Sequence, residues 1–281
     1  MNKQHILFVH IPKTAGTSFR LSLQEWAGDK NTLYDYSLSS DETSKIIIET
    51  MYEKKDPYLL HLAMQKHSKL FLSGHFHVGK YMHFFDTINV ITFVRDPIQQ
   101  VFSHYKHYKK YHNYTKSIET FIREERFCNF QSRLLQQKPL ELFGFVGIVE
   151  QYTQSIEIIN DMFGFNLSVL TKNRIDEFHD ELTENVKDLI KKNNQKDIAL
   201  YDKAVQIFQQ RVDEYKNKYK YTYQWIQEET NEQIRGLAFY RDNEVVYLNN
   251  SIHAKDHRPG MTVHNVPRDA YVGFTYMKGN K

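Results

Sequence analysis

Cysteine is almost missing from this sequence of 281 residues, which contains only Cys128. One thiol excludes an intramolecular disulfide and a zinc site built from cysteines, and it is compatible with a reducing compartment. The neighbours of Cys128, in RFCNFQ, include no arranged base that would mark it as a nucleophile. We therefore expect a buried structural thiol.

Long apolar runs are missing as well. The apolar segment near the N-terminus, residues 6–11, is too short for a signal peptide and is followed by Pro12 and Lys13. No other stretch approaches the length of a membrane-spanning helix. These features predict a cytoplasmic protein with no membrane span, or an excised soluble catalytic domain.

An excess of one charge sign is also missing. The sequence has 37 Lys and Arg against 34 Asp and Glu, which gives a net charge of +3 with 14 additional His. This balance calls for no nucleic-acid partner, but it leaves room for a local basic cleft. Aromatic residues are abundant by contrast, with 19 Tyr and 19 Phe, so we expect rings in the core and along any groove.

The stretch ILFVHIPKTAGTSFR, which begins at the sixth residue, combines an apolar strand, a polar turn and the start of a helix. Pro12 ends the strand and Gly16 permits a tight turn. Thr17 and Ser18 can cap the helix, which we expect to begin three residues after the glycine. Free amides there, together with Lys13, would suit a phosphate or sulfate, although an ordinary corner with an exposed lysine fits equally. The lysine precedes the glycine, so this is not the G-x-x-x-x-G-K-S/T loop of nucleoside triphosphate-binding proteins.

A second unit of strand, turn and helix contains the apolar run NVITFV. Asp96 can cap the helix, with Pro97 at its first position. Arg95 leaves the end of the strand and Ser103 lies about two helical turns into the helix, so both can reach one phosphate. The chain thus has two separate anion sites, which suit a ligand that carries phosphate at both ends.

Strands alternate with helices along the chain, which predicts an α/β fold with a central, mainly parallel sheet flanked by helices. Ligands collect at the carboxyl ends of such strands, so His75, which follows an apolar strand at residues 70–73, should lie at the same edge as the anion sites. Residues 27–40 are predicted to form a loop, and residues 118–137 are predicted to be largely helical.

The pattern changes near residue 230, where GLAFYRDNEVVYLNNSIHA and DAYVGFTYM alternate polar and apolar residues, as antiparallel strands do. We therefore expect a main domain over residues 1–230 and a small β-rich appendage over residues 231–281. About fifty residues form a thin unit, so the appendage leans on the main domain, forms an oligomer with another chain, or begins a longer module.

The order and spacing of these motifs resemble the sulfotransferase superfamily, whose members use 3′-phosphoadenosine 5′-phosphosulfate (PAPS) as sulfuryl donor. PKTAGTS and VRDPIQQVFS look like its two phosphosulfate-binding motifs, and the closer likeness is to the branch that contains heparan sulfate and chondroitin O-sulfotransferases. Supporting matches are SGHF, NFQSRLL, FVGIVEQY and KDIALYDKAVQIF. The motifs span residues 5–210, about three quarters of the chain.

The resemblance implies a P-loop-like fold, PAPS as donor co-substrate, no metal, and in-line transfer to a hydroxyl of a carbohydrate acceptor, whether polysaccharide or smaller glycoside. It places the 5′-phosphosulfate in a loop of Lys13, Thr14, Gly16, Thr17 and Ser18. By the same resemblance, Arg95 and Ser103 hold the 3′-phosphate. His75 is the general base, and Lys13 acts on the leaving phosphate. Glu150 matches a recurrent acid of the family that has no assigned role here.

Two other functions stay open, a P-loop-type nucleotide kinase and a non-catalytic protein that binds polyanions. The kinase interpretation lacks the lysine spacing and an evident acidic magnesium ligand. The run SHYKHYKKYHNYTK, residues 103–116, could line an acceptor groove, bind nucleic acid or form a solvated helix face. His75 with His77, and His104 with His107, have spacings found in metal pairs, but neither pair has a third ligand at a clear spacing.

Overall fold

The computed structural model describes residues 3–169, 182–218, 233–241, 244–249 and 271–277. The chain separates into two compact units, Met1–Gln210 and Arg211–Lys281. Each unit has a sheet of its own, the first with five strands and the second with three.

Parallel strands form the centre of the first unit, where their apolar side chains are buried on both faces of the sheet. The strands are β1 (Gln4–Val9), β2 (Thr32–Asp35), β3 (Lys69–Gly74), β4 (Val90–Val94) and β5 (Phe145–Ile148). Their order in the sheet is β2-β3-β1-β4-β5, and every neighbouring pair is parallel. β2 and β3 therefore lie on one side of β1, and β4 and β5 lie on the other. Because the strand order reverses at β1, a crevice lies at the carboxyl ends of the strands beside it.

Helices connect these strands and cover the sheet, as crossovers between parallel strands require. They are α1 (Gly16–Ala27), α2 (Lys45–Ile47, continued by a π-helix over Ile48–Glu53), α3 (Pro57–Met64), α4 (Pro97–Tyr111), α5 (Ile118–Arg123), α6 (Phe130–Leu134), α7 (Tyr152–Phe163), α8 (Glu184–Asn193) and α9 (Gln195–Lys218). Apolar side chains of α4, α5 and α8 form one buried cluster around Phe121 and Ile190. This cluster fixes α4 beside the crevice.

The predicted α/β architecture with a parallel central sheet is confirmed. One local prediction also holds, because Asp96 caps α4 with Pro97 at the first position. Gly164 ends α7 with a left-handed φ of 66°. Helix α1 differs, because it begins at Gly16 and is preceded by Ala15 rather than by a residue with a side-chain cap.

One stretch was predicted wrongly. Residues 27–40 contain β2, a short edge strand that is only partly buried and so shows no continuous apolar run. Such a short strand gives too few residues for periodicity to detect. Residues 118–137 are largely helical as predicted, in short pieces: α5, a 3-10 helix over Glu125–Phe127, and α6, which begins after Asn129 with its left-handed φ of 49°.

The second unit contains a three-stranded antiparallel sheet with the order β7-β6-β8, in which β6 is Gln233–Arg241, β7 is Glu244–Asn249 and β8 is Tyr271–Met277. The predicted β-rich C-terminal segment is therefore confirmed. The predicted boundary at residue 230 lies outside the described residues, and the role of the segment in an oligomer stays a prediction.

Candidate functional site

A cleft of about 820 Å³ opens where β1, β3 and β4 end. The predicted site residues that line it are Lys13, Gly16, Thr17, His75, Arg95 and Ser103. Two others, Thr14 and Ser18, are buried behind the cleft wall. The fold thus brings the two predicted anion corners and the predicted base to one cavity.

The corner after β1 has an unusual backbone. Lys13 and Ala15 adopt left-handed φ values of 68° and 57°, a conformation that costs a side chain roughly 1–3 kcal/mol. Thr14 stabilises the turn by donating from Oγ1 to the carbonyl oxygen of Ile11 at 2.8 Å. Since Ala15 carries no polar side chain, no side chain caps α1, and the amides of its first turn are available to an anion.

The corner after β4 is capped. Asp96 accepts a hydrogen bond from the amide of Gln99 at 2.9 Å, and its own amide donates to Glu150 at 3.0 Å. The hydroxyl of Tyr201 donates to the other carboxylate oxygen of Glu150, also at 3.0 Å. Glu150 therefore ties the β4–α4 turn to α9, which gives a structural role to an acid that the sequence left unassigned.

Arg95 is held at this corner through its backbone. Its amide donates to the side-chain oxygen of Gln131 at 3.0 Å, and the Gln131 side-chain nitrogen donates to the Arg95 carbonyl at 2.8 Å. Asp197 in turn accepts from the amides of Gln131 and Ser132 at 3.0 and 2.7 Å. The Arg95 guanidinium donates to the Lys13 carbonyl at 3.4 Å, so the two corners are in direct contact.

The motifs NFQSRLL and KDIALYDKAVQIF thus lie in contact with each other, because Gln131 of the first donates its amide to Asp197 of the second. Burial, followed by the neighbouring Arg95 charge, lowers the pKa of Lys13. An anion placed between these two cations would relieve their repulsion.

His75 leaves the end of β3 and its amide donates to the Asp35 carbonyl at 3.0 Å. Its ring centroid lies 4.6 Å from that of His10 and 4.7 Å from that of Tyr36, in edge-to-face contacts. The ring is exposed to the open cleft although protein atoms crowd it on the other sides. This crowding, followed by the charge of Arg20, lowers the pKa of His75 to about 4. Solvent in the cleft weakens that effect, but the ordinary value of 6.5 already leaves the ring mostly neutral at pH 7.

Asp35 supports this edge of the cleft. Its carboxylate is buried and accepts hydrogen bonds from Tyr52 and Tyr81 at 2.7 Å and from Lys80 at 2.6 Å. Burial raises the pKa of Asp35, but the hydrogen bonds from Lys80, Tyr81 and Tyr52 outweigh it and keep the pKa below its ordinary value. The end of β2, which accepts from the His75 amide, is therefore fixed.

The cleft is basic throughout. It is lined by Lys13, Arg95, Lys106 and Lys110 and by five histidines, and none of its lining residues in the described part of the chain is Asp or Glu. Clefts of one charge sign concentrate ligands of the opposite sign. The site is therefore built for a ligand with several negative charges.

Three site residues escaped the sequence analysis. His10 lies within a run that reads as apolar strand, Tyr36 follows the missed strand β2, and Arg20 lies on the first helix. The one available signal was a polar residue, His10, next to the PKT motif inside an otherwise apolar stretch.

Other sequence predictions have plain structural outcomes. Cys128 is half-buried, donates from Sγ to the carbonyl oxygen of Ile122 at 3.2 Å, and has its pKa raised by burial. His77 contacts the carbonyl of Arg133 through Nδ1 at 2.9 Å. In residues 3–169 and the later described segments, no three His, Cys, Asp or Glu side chains are grouped for metal binding. Nor is any described helix both long and apolar enough to cross a bilayer.

No protein-family model matches the sequence, and no curated protein matches it significantly. Solved structures with some likeness include a sulfotransferase from Alicyclobacillus acidocaldarius, with 14% identity, a TM-score of 0.38, and coverage of 71% of this chain and 94% of the other. Another is the mouse sulfotransferase SULT7A1 complexed with PAP, with 11% identity, a TM-score of 0.41, and coverage of 72% of this chain and 89% of the other. At these values we give the likeness no weight in assigning function.

Proposed function

We propose that the protein is a PAPS-dependent O-sulfotransferase that acts on a carbohydrate hydroxyl. The observation that carries the proposal is the convergence of two anion corners and a neutral histidine on one basic cleft. The uncapped start of α1 with Lys13 suits the 5′-phosphosulfate. Arg95 and Ser103 suit the 3′-phosphate, since a guanidinium and a hydroxyl are donors that match phosphate oxygens.

His75 acts as general base in this proposal. Its neutral ring accepts the proton of the acceptor hydroxyl while the acceptor oxygen forms a bond to sulfur. The bond between sulfur and the phosphate oxygen breaks, and its electron pair stays on the phosphate, which leaves as part of adenosine 3′,5′-bisphosphate (PAP). The negative charges of the bound donor raise the pKa of His75 from its low value, which makes it a better base.

Lys13 and the amides of α1 stabilise the charge that develops on the leaving phosphate. Removal of one preorganised donor of this kind typically lowers kcat by roughly 10²–10³-fold. The left-handed turn holds them in place before the donor binds.

The acceptor site is proposed to continue along α4. A groove of about 550 Å³ is lined by Phe102, Tyr105, Lys106, Lys109 and Lys110, of which Lys106 and Lys110 also line the main cleft. The lysine ammonium groups lie over aromatic rings, at 5.6 Å for Lys109 over Tyr105. Rings stack on sugar faces and lysines bind acidic sugar groups, so this surface supports an acidic carbohydrate as acceptor.

Titration with PAP, and separately with ATP and magnesium, tests the proposal first. We expect PAP to bind more tightly than ATP, because among the described residues the cleft is lined by cations and by no carboxylate that would hold magnesium. Transfer from labelled PAPS to a panel of polysaccharides and small glycosides then identifies the acceptor. A preference for ATP, or no transfer to any sugar, would contradict the proposal.

The substitution His75→Ala separates an enzyme from a binding protein. Turnover should fall by roughly 10²–10⁴-fold, as for loss of a general base, while PAP affinity stays within a few-fold of wild type. His77→Ala is the matched control, since this neighbouring histidine is exposed and contacts the Arg133 carbonyl rather than the cleft. Equal turnover of His75→Ala and His77→Ala would remove His75 as the base.

A further inference from the structure

His10 occupies a position at the centre of the cleft that the proposed mechanism leaves unused. It directly follows β1, its amide donates to the Gly74 carbonyl at 3.1 Å, and only 7% of it is exposed. Its ring lies against Gly16, the first residue of α1: a Cβ atom at that position would be 2.0 Å from Cδ2 and 2.1 Å from Nε2. The Nε2 edge of His10 therefore lies beside the uncapped amides of α1.

The other ring nitrogen of His10 is engaged. Nδ1 lies 3.0 Å from the hydroxyl of Tyr36. In the described part of the chain no protein group forms a hydrogen bond with Nε2, and His10 is among the residues that line the cleft. A ligand in the cleft can therefore reach the imidazole only through Nε2.

Tyr36 is the partner of Nδ1, and Arg20 lies beside it. The guanidinium carbon of Arg20 is 5.2 Å from the Tyr36 ring centroid. Burial raises the pKa of Tyr36 and outweighs the lowering by the Arg20 charge, so the phenol keeps its proton. When that proton is donated to Nδ1 of His10, the ring proton of the neutral imidazole lies on Nε2.

We infer that His10 donates a hydrogen bond from Nε2 to the 5′-phosphate of the donor nucleotide, and that Tyr36 is the positioning residue that fixes this tautomer. The inference rests on the proposed function. Burial, followed by the charges of His75, Arg20 and Lys13, keeps the pKa of His10 well below its ordinary value, so the ring donates without carrying charge.

A neutral donor is suited to this place. The His10 and His75 rings are only 4.6 Å apart, and a cation at His10 would disfavour proton uptake by His75. His10 can therefore stabilise the leaving phosphate while the neighbouring base becomes charged. A lysine or arginine in the same place would oppose that step.

Calorimetric titration with PAP tests the contact. His10→Phe keeps a ring but has no donor, so we expect its affinity to fall roughly tenfold to hundredfold, as for loss of one hydrogen bond to a charged group. His10→Gln places an amide donor near the Nε2 position and should recover most of the affinity. Thermal unfolding of both variants shows whether they are folded.

Imidazole nitrogen NMR tests the tautomer independently of the substitutions at His10. We expect the wild-type protein to show His10 protonated at Nε2 alone, with a change at Nε2 when PAP is added. Tyr36→Phe should yield a mixture of tautomers. A proton on Nδ1 in the wild-type protein, or an unchanged Nε2 signal on saturation with PAP, would overturn the inference.

The outcomes separate the two proposals. If wild type binds PAP and His10→Phe binds equally well, the role of His10 is wrong and the proposed function stands. If wild type does not bind PAP at all, the proposed function fails, and the inference fails with it.

Discussion

The two corners that face the cleft have the same order of strand, turn and helix, but they offer different groups to an anion. At the first corner α1 has no side-chain cap, so the backbone amides are available. At the second corner Asp96 caps α4, and Pro97 has no amide hydrogen. In the proposed function the first corner therefore binds through its backbone and Lys13, and the second binds through the side chains of Arg95 and Ser103.

The two corners also differ in what holds them. The first turn is stabilised by local contacts, such as the hydrogen bond of Thr14 to Ile11. The second is held by Gln131 and Glu150, which come from distant parts of the chain. In the proposed function a strained local turn thus positions backbone donors for the reacting phosphate, while the side chain that holds the other phosphate depends on the packing of the whole domain.

Replacing the cation of each corner should give the largest and most different effects. Lys13→Ala should lower kcat by roughly 10²–10³-fold, with a smaller loss of PAP affinity, because the lysine acts on charge that develops during transfer. Arg95→Ala should lower PAP affinity more than kcat, because the 3′-phosphate does not react. Steady-state kinetics with PAPS and calorimetry with PAP measure the two quantities.

Lys192→Ala is the control for this pair, since Lys192 is exposed on α8 and does not line the cleft. Both quantities should stay at the wild-type value in this variant. If Lys13→Ala lowered PAP affinity and left kcat unchanged, the first turn would only bind the phosphate and would not stabilise charge during transfer. The contrast between the corners would then be lost.

The sequence predicted the parts of this contrast that depend on residue type and short spacing. The cap at Asp96 and the place of Lys13 and Arg95 beside one cleft follow from the residues and their positions at strand ends, while anion binding by these two cations stays a prediction. Free amides at the start of α1 were expected, but the capping role given to Thr17 and Ser18 was wrong, because these residues lie one and two positions past the helix start. Only the backbone conformation at Ala15 decides which residue is the cap.

Contacts over long sequence separations could not be predicted either. Gln131 and Asp197 were recognised as parts of matching motifs, but their hydrogen bonds depend on how α6 and α9 pack. The pair of His10 and Tyr36 depends on β2, an edge strand too short and too polar for its pattern to be detected. Side chains that meet through tertiary packing leave no periodic signal in one sequence.

Gly16→Ala should disrupt the first corner by a steric route. The new Cβ atom would overlap the ring of His10 at 2.0 Å, so either the ring or the start of α1 must move. We expect a stability loss of roughly 1–3 kcal/mol, as for overpacking in a core, and at least a tenfold loss of PAP affinity. Chemical denaturation and calorimetry measure the two effects.

Gly28→Ala, at the other end of α1, is the matched control. Gly28 has a left-handed φ of 82°, and a Cβ atom there would meet nothing within 4 Å. This variant should lose roughly 1–3 kcal/mol of stability, because a φ of 82° with a ψ of 150° is a conformation essentially restricted to glycine, and it should keep its PAP affinity. Equal affinity losses in the two variants would show that Gly16 acts through general helix stability and not through the anion corner.

Asp96→Ala should affect the second corner through stability. The substitution removes the cap of α4, which costs about 1 kcal/mol in the free energy of unfolding. Asp96→Asn keeps an acceptor for the Gln99 amide, so its free energy of unfolding should fall by only a few tenths of a kcal/mol. PAP affinity should change little in either variant, because the α4 amides are not proposed to bind the nucleotide. A large affinity loss in Asp96→Ala alone would contradict this and would show that the cap positions Arg95 and Ser103 for the nucleotide.

Arg20→Gln should give the smallest effect, on the pH dependence of the base between the corners. His75 has a lowered pKa, so kcat/KM is constant near neutral pH and falls only as the pH drops through that value, where the protonated ring cannot accept a proton. Removing the Arg20 charge makes protonation easier, so the acid limb should move to higher pH by less than about one unit. It should stay below pH 6.5, because burial is the larger cause and remains. Lys192→Gln makes the same change of charge at a residue that does not line the cleft. If it moved the limb equally, the shift would reflect net charge and not the nearby charge of Arg20.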